Sequence, residues 1–233
     1  MTTQEIAKII DHTNLNACAT KDEIKKPCYE AKTYGFASVC VNPSYVSYAA
    51  EILEGSDVKV CTVIGFPLGA DTIDNKATST AVAIDEGAEE IDMVVNLGFV
   101  KDKDWDSVYE EICAVVDASR EVETEKKHII VKVILETCYL SDEEIVECCK
   151  CAENAGADFV KTSTGFAIMK DSDGKLLPNG ATVHAVELMK KTVGDRLSVK
   201  ASGGIRNFKD ALAMVDAGAS RIGTSAGVAI VNS

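Results

Sequence analysis

Four charged residues interrupt otherwise apolar runs. Asp92 lies in Ile91-Asp92-Met93-Val94-Val95, Lys132 in Ile130-Val131-Lys132-Val133-Ile134-Leu135, Lys161 follows Phe159-Val160, and Lys200 follows Ser198-Val199. Short apolar runs of this kind read as buried strands. An unpaired charge inside one costs several kcal/mol, so each needs a partner or a task. One such charge is accounted for by an edge position or a structural ion pair, but one aspartate cannot neutralise three lysines. A lysine beside a second ammonium in a poorly solvated site has a chemical use. With an ordinary pKa of about 10.4, roughly one amine in a thousand is neutral near pH 7.4. A neighbouring cation and desolvation both favour the neutral form, and lowering the pKa by ~3 units, at a cost of about 4 kcal/mol, makes the amine a usable nucleophile. Such an amine captures carbonyls as imines, and the iminium is an electron sink for making or breaking an adjacent C–C bond. Asp92 is suited to moving protons there, through water where needed.

These residues require strands to hold them. A local unit recurs along the chain: a helical stretch, a glycine, then a short apolar strand. It appears as Tyr34-Gly35-Phe36, Glu86-Gly87-Ala88, Ala155-Gly156-Ala157 and Ala217-Gly218-Ala219, with a looser copy at Val193-Gly194-Asp195. Glycine just past a helix suits the left-handed C-cap, and a β-rich run straight afterwards completes the αβ half of a βαβ unit. Eight strands are predicted: Ile9–Asp11, Ser38–Val41, Val58–Gly65, Glu90–Asn96, Ile129–Leu135, Asp158–Ser163, Ser198–Ser202 and Arg221–Gly223. Between them run stripes at helical spacing: Ala77, Ala81, Ile84 and Ala88; Val108, Ile112 and Val115; Phe208, Leu212 and Val215. Eight alternating units in 233 residues predict one α/β domain over 1–233, a single (β/α)8 TIM barrel. A doubly wound open sheet is the competing arrangement, weakened because no Gly-rich dinucleotide turn follows the first strands. The polar stretch Lys170–Lys175 reads as an elaborated βα loop, either an idle surface insertion or a modifier of the pocket rim.

In such a barrel, alternate strand residues point inward. Lys200-Ala201-Ser202-Gly203-Gly204-Ile205-Arg206 follows the seventh strand, and Ile222-Gly223-Thr224-Ser225-Ala226-Gly227 follows the eighth. Glycine also serves turns and close packing. Paired glycine-rich loops at these two positions are nevertheless a recurrent phosphate site, where backbone N–H groups attract an anion.

Composition limits the partners. Thirty-seven acidic residues against 24 Lys plus Arg give a formal charge of −13, which argues against a surface built for nucleic acid or anionic membrane. A small phosphorylated substrate remains compatible with a locally positive pocket. The opening residues lack a signal-peptide core, Thr2 and Glu5 read instead as a capping box, and no apolar run reaches the ~18 residues of a membrane span. Nine cysteines with no export signal read as reduced thiols, which places the protein in the cytoplasm.

The most specific runs are Phe159-Val160-Lys161-Thr162-Ser163-Thr164-Gly165-Phe166 and Val199-Lys200-Ala201-Ser202-Gly203-Gly204-Ile205-Arg206. They are supported by Val131-Lys132-Val133-Ile134-Leu135-Glu136-Thr137 and Glu90-Ile91-Asp92-Met93-Val94-Val95-Asn96. From Ile10-Asp11-His12-Thr13-Asn14-Leu15 to Gly223-Thr224-Ser225 the chain resembles the deoxyribose-phosphate aldolase family, Schiff-base-forming aldolases on a (β/α)8 barrel. The resemblance implies that Lys161 forms the imine, that Lys200 depresses the Lys161 pKa, and that Asp92 and Lys200 organise a proton relay. It implies that Gly203, Gly204, Gly223, Thr224 and Ser225 hold the phosphate, and that Asp11, Thr13 and Cys40 line the pocket. Lys132, Thr164 and Gly165 complete the expected substrate-binding set. The implied reaction is reversible cleavage of 2-deoxy-D-ribose 5-phosphate to D-glyceraldehyde 3-phosphate and acetaldehyde, with no cofactor, in deoxynucleoside breakdown. Members of the family often carry a tail ending in a tyrosine that assists proton transfer. This sequence stops at Val231-Asn232-Ser233 with no tyrosine beyond Tyr139, so water is the expected substitute.

Other signals lead away from catalysis. Cys148-Cys149-Lys150-Cys151 contains C-x-x-C, but lies in a predicted helix over Ser141–Gly156, with Cys148 and Cys149 on the same face as Ile145 and Ala152. His12, His128 and His184 fall on distant segments without zinc spacing, so no catalytic metal is expected. Trp105 reads as a packing residue at a helix start. Two further functions stay open: a phosphate-binding barrel enzyme acting on another sugar phosphate, and a catalytically silent barrel binding a metabolite or a protein partner; a homo-oligomer is compatible with each reading. Against the silent barrel stands the complete Lys161–Lys200–Asp92 set.

Overall fold

A computed structural model describes residues 1–122 and 128–233. Eight parallel strands close into a barrel: β1 (Ile10–Asn14), β2 (Ser38–Val41), β3 (Lys59–Ile64), β4 (Glu90–Val94), β5 (Ile130–Ile134), β6 (Phe159–Lys161), β7 (Ser198–Ser202) and β8 (Arg221–Thr224). Each pairs with its sequence neighbours, and β1 joins β8 through Ile10 opposite Ile222, which excludes the open sheet. The predicted strands are all present, and four of the eight are trimmed at their ends. The first is instead longer than expected. Asp11-His12-Thr13-Asn14 has no apolar alternation to betray a strand, because its inward positions are polar and pairing to both neighbours holds it.

The helix–glycine–strand unit behaves as read. Gly35 caps Lys21–Tyr34 in the left-handed conformation, its N–H bonded to Ala31 O, and the chain turns directly into β2. Helices begin on capping boxes at Thr2/Glu5, Thr20/Glu23 and Ser141/Glu144. The helix Asp142–Asn154 buries Ile145, Cys148, Cys149 and Ala152 as expected. Two stripes are corrected. In Ile73–Asp85, Ala77 is half-buried and Ala81 exposed, and the buried face is Lys76, Thr80, Ala83 and Ile84. Lys76 goes inside because Glu111 and Val94 O both accept from its ammonium, at 2.5 and 2.8 Å. In Phe208–Asp216 the fully buried residues are Ala211 and Met214, with Phe208, Leu212 and Val215 half-buried. The insertion forms a hairpin, Met169–Lys170 against Leu176–Leu177, between β6 and the helix Val183–Val193.

The apolar core lies outside the sheet. Val39, Val60, Ile91, Val131, Val160, Val199 and Ile222, each pointing away from the barrel axis, join the helices in one cluster. Inside, a small apolar group of Leu15, Cys40, Cys61 and Val63 occupies the β1–β3 side. Much of the rest of the interior is charged, with Asp11, Glu90, Asp92, Lys132, Lys161 and Lys200 all buried there.

Candidate active site

The charged interior runs from the strand starts to the strand ends. Arg221 and Glu90, the first residues of β8 and β4, pair at 3.1 Å, and Arg221 also holds Asp11 Oδ1 at 2.6 Å. Ser38 donates to the same Asp11 oxygen at 2.7 Å. Lys132 donates to Glu90 at 2.5 Å and to Asp92 Oδ1 at 2.9 Å. Lys200 bridges Asp11 and Asp92. Its ammonium and that of Lys161, the last residue of β6, each lie 2.7 Å from the same atom, Asp92 Oδ2. In this linked group four cations, Lys132, Lys161, Lys200 and Arg221, face three carboxylates, Asp11, Glu90 and Asp92.

The electrostatics follow from this packing. Burial alone would raise the Asp92 carboxyl, but Lys132, Lys161 and Lys200 outweigh it and hold it well below the usual range. Asp11 is lowered in the same way against burial by Lys200, Arg221 and Lys132. Burial opposes the charge of Lys200 and Lys132, yet Asp11 and Asp92 raise the first, and Asp92 and Glu90 contribute to raising the second. The sequence expectation of a crowded and uncompensated cationic interior is therefore corrected. Glu90 and Asp11 supply most of the missing negative charge, and Lys200 is a fixed cation.

Above this group opens a cavity of about 580 Å³ at the C-terminal ends of the strands. Its wall includes Thr13, Lys161, Thr164, Gly165, Gly203, Gly204, Gly223, Thr224 and Ser225, all of them expected site residues. Asp11, Cys40 and Lys132, expected to line the pocket, lie below its wall together with Asp92 and Lys200; all five are 0–1% exposed. Their distance from the cavity has a simple cause: ion pairing within the barrel satisfies the charged ones, and Cys40 packs in the small apolar cluster.

Three glycines shape the wall. Gly203 and Gly204 have φ of 86° and 80°, a backbone conformation that residues with a side chain rarely adopt, and both line the cavity. At Gly223 a Cβ would stand 3.0 Å from Lys200 Cε, so the missing side chain makes room for the buried lysine. Thr224 Oγ1 donates to Ile205 O at 2.7 Å and accepts from Ala226 N at 2.9 Å, tying the two glycine-rich loops together.

Sequence reasoning missed several residues. Glu136, just after β5, has φ of 56°, and its carboxylate accepts from both the N–H and the hydroxyl of Thr164. Burial pushes its carboxyl up, against those hydrogen bonds. Asn179 and Phe166 line the cavity, and Phe166 meets Phe66 edge-to-face at 5.2 Å. Arg206 also lines it, at the end of a run singled out for other residues. For Glu136, the signal available was an acid directly after an apolar strand.

A sequence model of the DeoC/LacD family aldolases matches residues 6–233. A relative from Caldanaerobacter subterraneus subsp. tengcongensis, named deoxyribose-phosphate aldolase, is 57% identical over 97% of this chain and 92% of its own length. A second of the same name, from Geobacillus sp. (strain WCH70), is 56% identical over 97% of this chain and 94% of its own. Among solved structures, the tetrameric deoxyribose phosphate aldolase of Aeropyrum pernix superposes with a TM-score of 0.87 at 32% identity, covering 99% of this chain and 91% of that one.

Proposed function

The chain belongs to the DeoC/LacD family of aldolases, and from that premise we propose that it reversibly cleaves 2-deoxy-D-ribose 5-phosphate to D-glyceraldehyde 3-phosphate and acetaldehyde through an imine on Lys161. One observation carries the choice of amine. Among the described residues four lysines are buried, Lys76, Lys132, Lys161 and Lys200, and of these Lys161 alone is on the cavity wall. An aldehyde entering from solvent meets it first.

The steps are then constrained by charge. The free amine of Lys161 attacks the C1 aldehyde of the open-chain sugar, and the carbinolamine loses water to give a protonated imine. Ammonium and protonated imine carry the same charge, so the balance around Asp92 is preserved. A base takes the proton of the C3 hydroxyl, the C2–C3 electron pair moves into the iminium, and C3 becomes the aldehyde of the departing triose phosphate. Protonation of the enamine at C2 and hydrolysis release acetaldehyde and regenerate the amine. Asp92, strongly ionised, is a weak base. It organises the relay by holding Lys161 and Lys200 on one oxygen, while water carries protons to and from the substrate. The backbone N–H groups of the Gly203–Gly204 and Gly223–Ser225 loops are the candidate phosphate cradle, with Arg206 beside them.

The same reading gives one catalytic domain over 1–233, in the cytoplasm, assembled as a homo-oligomer. The free state of all nine cysteines supports the compartment, and the tetrameric A. pernix relative supports the assembly. Borohydride reduction in the presence of acetaldehyde, followed by mass mapping, tests the reaction. A permanent two-carbon adduct is expected on the peptide carrying Lys161; no adduct, or one on Lys200, overturns the assignment.

A further inference from the structure

Two thiols face each other inside the barrel and take no part in the chemistry above. Cys40 on β2 and Cys61 on β3 are direct cross-strand partners, both fully buried and both free. Cys61 Sγ lies 3.3 Å from Asp92 Oδ1. The two sulphurs and an Asp92 oxygen all fall within 4.8 Å of one another. A tetrahedral ion with metal–sulphur bonds of about 2.3 Å needs its sulphurs roughly 3.8 Å apart, a separation that small side-chain rotations reach from here.

We propose that Cys40, Cys61 and Asp92 form a binding site for a thiophilic divalent cation of the zinc class, and that its occupation ties up the carboxylate on which Lys161 depends. Two thiolates and one carboxylate select a soft or borderline ion over magnesium or calcium, which prefer oxygen donors. Three protein ligands leave a fourth position for water. The charge account permits the ion among so many ammonium groups. Each thiol loses its proton to solvent as its sulphur–metal bond forms, so two charges leave as protons while two arrive with the cation, and the interior keeps its net charge. The metal competes with Lys132 for Asp92 Oδ1, which Lys132 now holds at 2.9 Å, and draws charge from the carboxylate that anchors Lys161 and Lys200. Entry is through the cavity, because Leu15 belongs both to the cavity wall and to the cluster that contains the thiols. The ion is an inhibitor and no part of the imine chemistry. Its effect on Lys161 rests on the aldolase reading; its binding does not.

The test uses the full chain, stripped with a chelator, and Cd²⁺ and Zn²⁺ as probes. Cd²⁺ is expected to raise an ultraviolet thiolate-to-cadmium charge-transfer band that saturates at one ion per chain, with two protons released per ion. Borohydride trapping of acetaldehyde on Lys161 is expected to fall at least tenfold over the same titration and to recover on chelation. Cys61→Ala is expected to lose the band and to make trapping insensitive to Cd²⁺, whereas Cys18→Ser, which removes the exposed thiol, keeps both responses. X-ray absorption of the zinc-loaded unaltered protein is independent of any variant: two sulphur scatterers support the site, and a first shell of nitrogen and oxygen alone overturns it. A band that survives Cys61→Ala, or no band at all, overturns it equally. A band with undiminished trapping overturns the inhibition. Absence of trapping in the metal-free protein counts instead against the aldolase reading, while the band still decides the site.

Discussion

Lys200 sits between Asp11 and Asp92, 1% exposed, so removing its charge breaks two buried ion pairs at once, although Arg221 still holds Asp11 and Lys132 and Lys161 still hold Asp92. Lys200→Met is expected to lower the unfolding free energy by about 3–5 kcal/mol in urea denaturation, the scale of breaking a buried ion pair by removing one partner. It is also expected to cut imine trapping on Lys161 by about a hundredfold, the scale of a disabled proton relay. Unchanged stability would show that the two carboxylates do not need this cation. The lysines and Asp92 were legible because each breaks an apolar run. Their compensators were not. Glu90 follows Glu89 at a helix-to-strand turn and Arg221 opens its strand after Ser220, places where a charge ordinarily faces water. Only closure of the barrel brings Arg221 and Glu90, 131 positions apart, to 3.1 Å. A sequence shows which charges are buried sooner than it shows which of them meet.

The loops after β5 and β6 work as one element. Glu136 adopts a left-handed conformation that costs a non-glycine residue about 1–2 kcal/mol, and in doing so aims its carboxylate at Thr164 in the cavity wall. Glu136→Ala is expected to reduce kcat/KM for the phosphorylated sugar by about a hundredfold, the usual consequence of a displacement near 1 Å in a positioning loop. Leaving Thr164 N–H unpaired is expected to cost only about 1–3 kcal/mol of stability. Glu136→Gln, which keeps an acceptor for Thr164, is expected to recover most of the activity; equal activity in all three proteins would release the loop from this carboxylate. A second contact concerns the proposed phosphate end. A Cβ on Gly180 would lie 2.2 Å from Gly203 O, so Gly180→Ala must push the Gly203–Gly204 turn aside. The expected result is a KM for the phosphorylated sugar raised at least tenfold, with self-addition of acetaldehyde, which has no phosphate, little altered. An equal loss for both substrates would point to general disruption. Neither residue was legible, since Gly180 follows a loop with no periodicity and the strain at Glu136 is a property of the backbone. The glycines of the two candidate phosphate loops were legible, because turn chemistry is local.

At the scale of the whole molecule the barrel was readable from one repeated sentence, helix then glycine then strand, with apolar strand positions feeding the layer between sheet and helices. What periodicity could not give was the charged interior of the barrel, the polar end of β1 beyond Asp11, or the buried Lys76–Glu111 pair between two helices that displaces an alanine stripe. That charged interior sets the pH dependence of stability. Asp11 and Asp92 have folded pKa values below their unfolded ones, near 3.9. Their contribution is complete above that unfolded value and is lost as the pH falls below it towards the folded values. Glu111 and Glu136 are raised by burial, so their contribution runs the other way: it is fully present below about pH 4.3, the unfolded value, and is lost as the pH rises through their folded values. Urea midpoints measured from pH 7 downwards are therefore expected to hold or rise slightly as the two glutamates take up protons, then to drop steeply below about pH 4 as Asp11 and Asp92 are forced to do the same. Asp11→Asn removes one of the two titrations and is expected to make the acid limb shallower, from a lower starting stability because Arg221 and Lys200 lose a charged partner. A decline that sets in near pH 6, or an acid limb equally steep in Asp11→Asn, would place the acid-sensitive groups elsewhere than in the barrel interior.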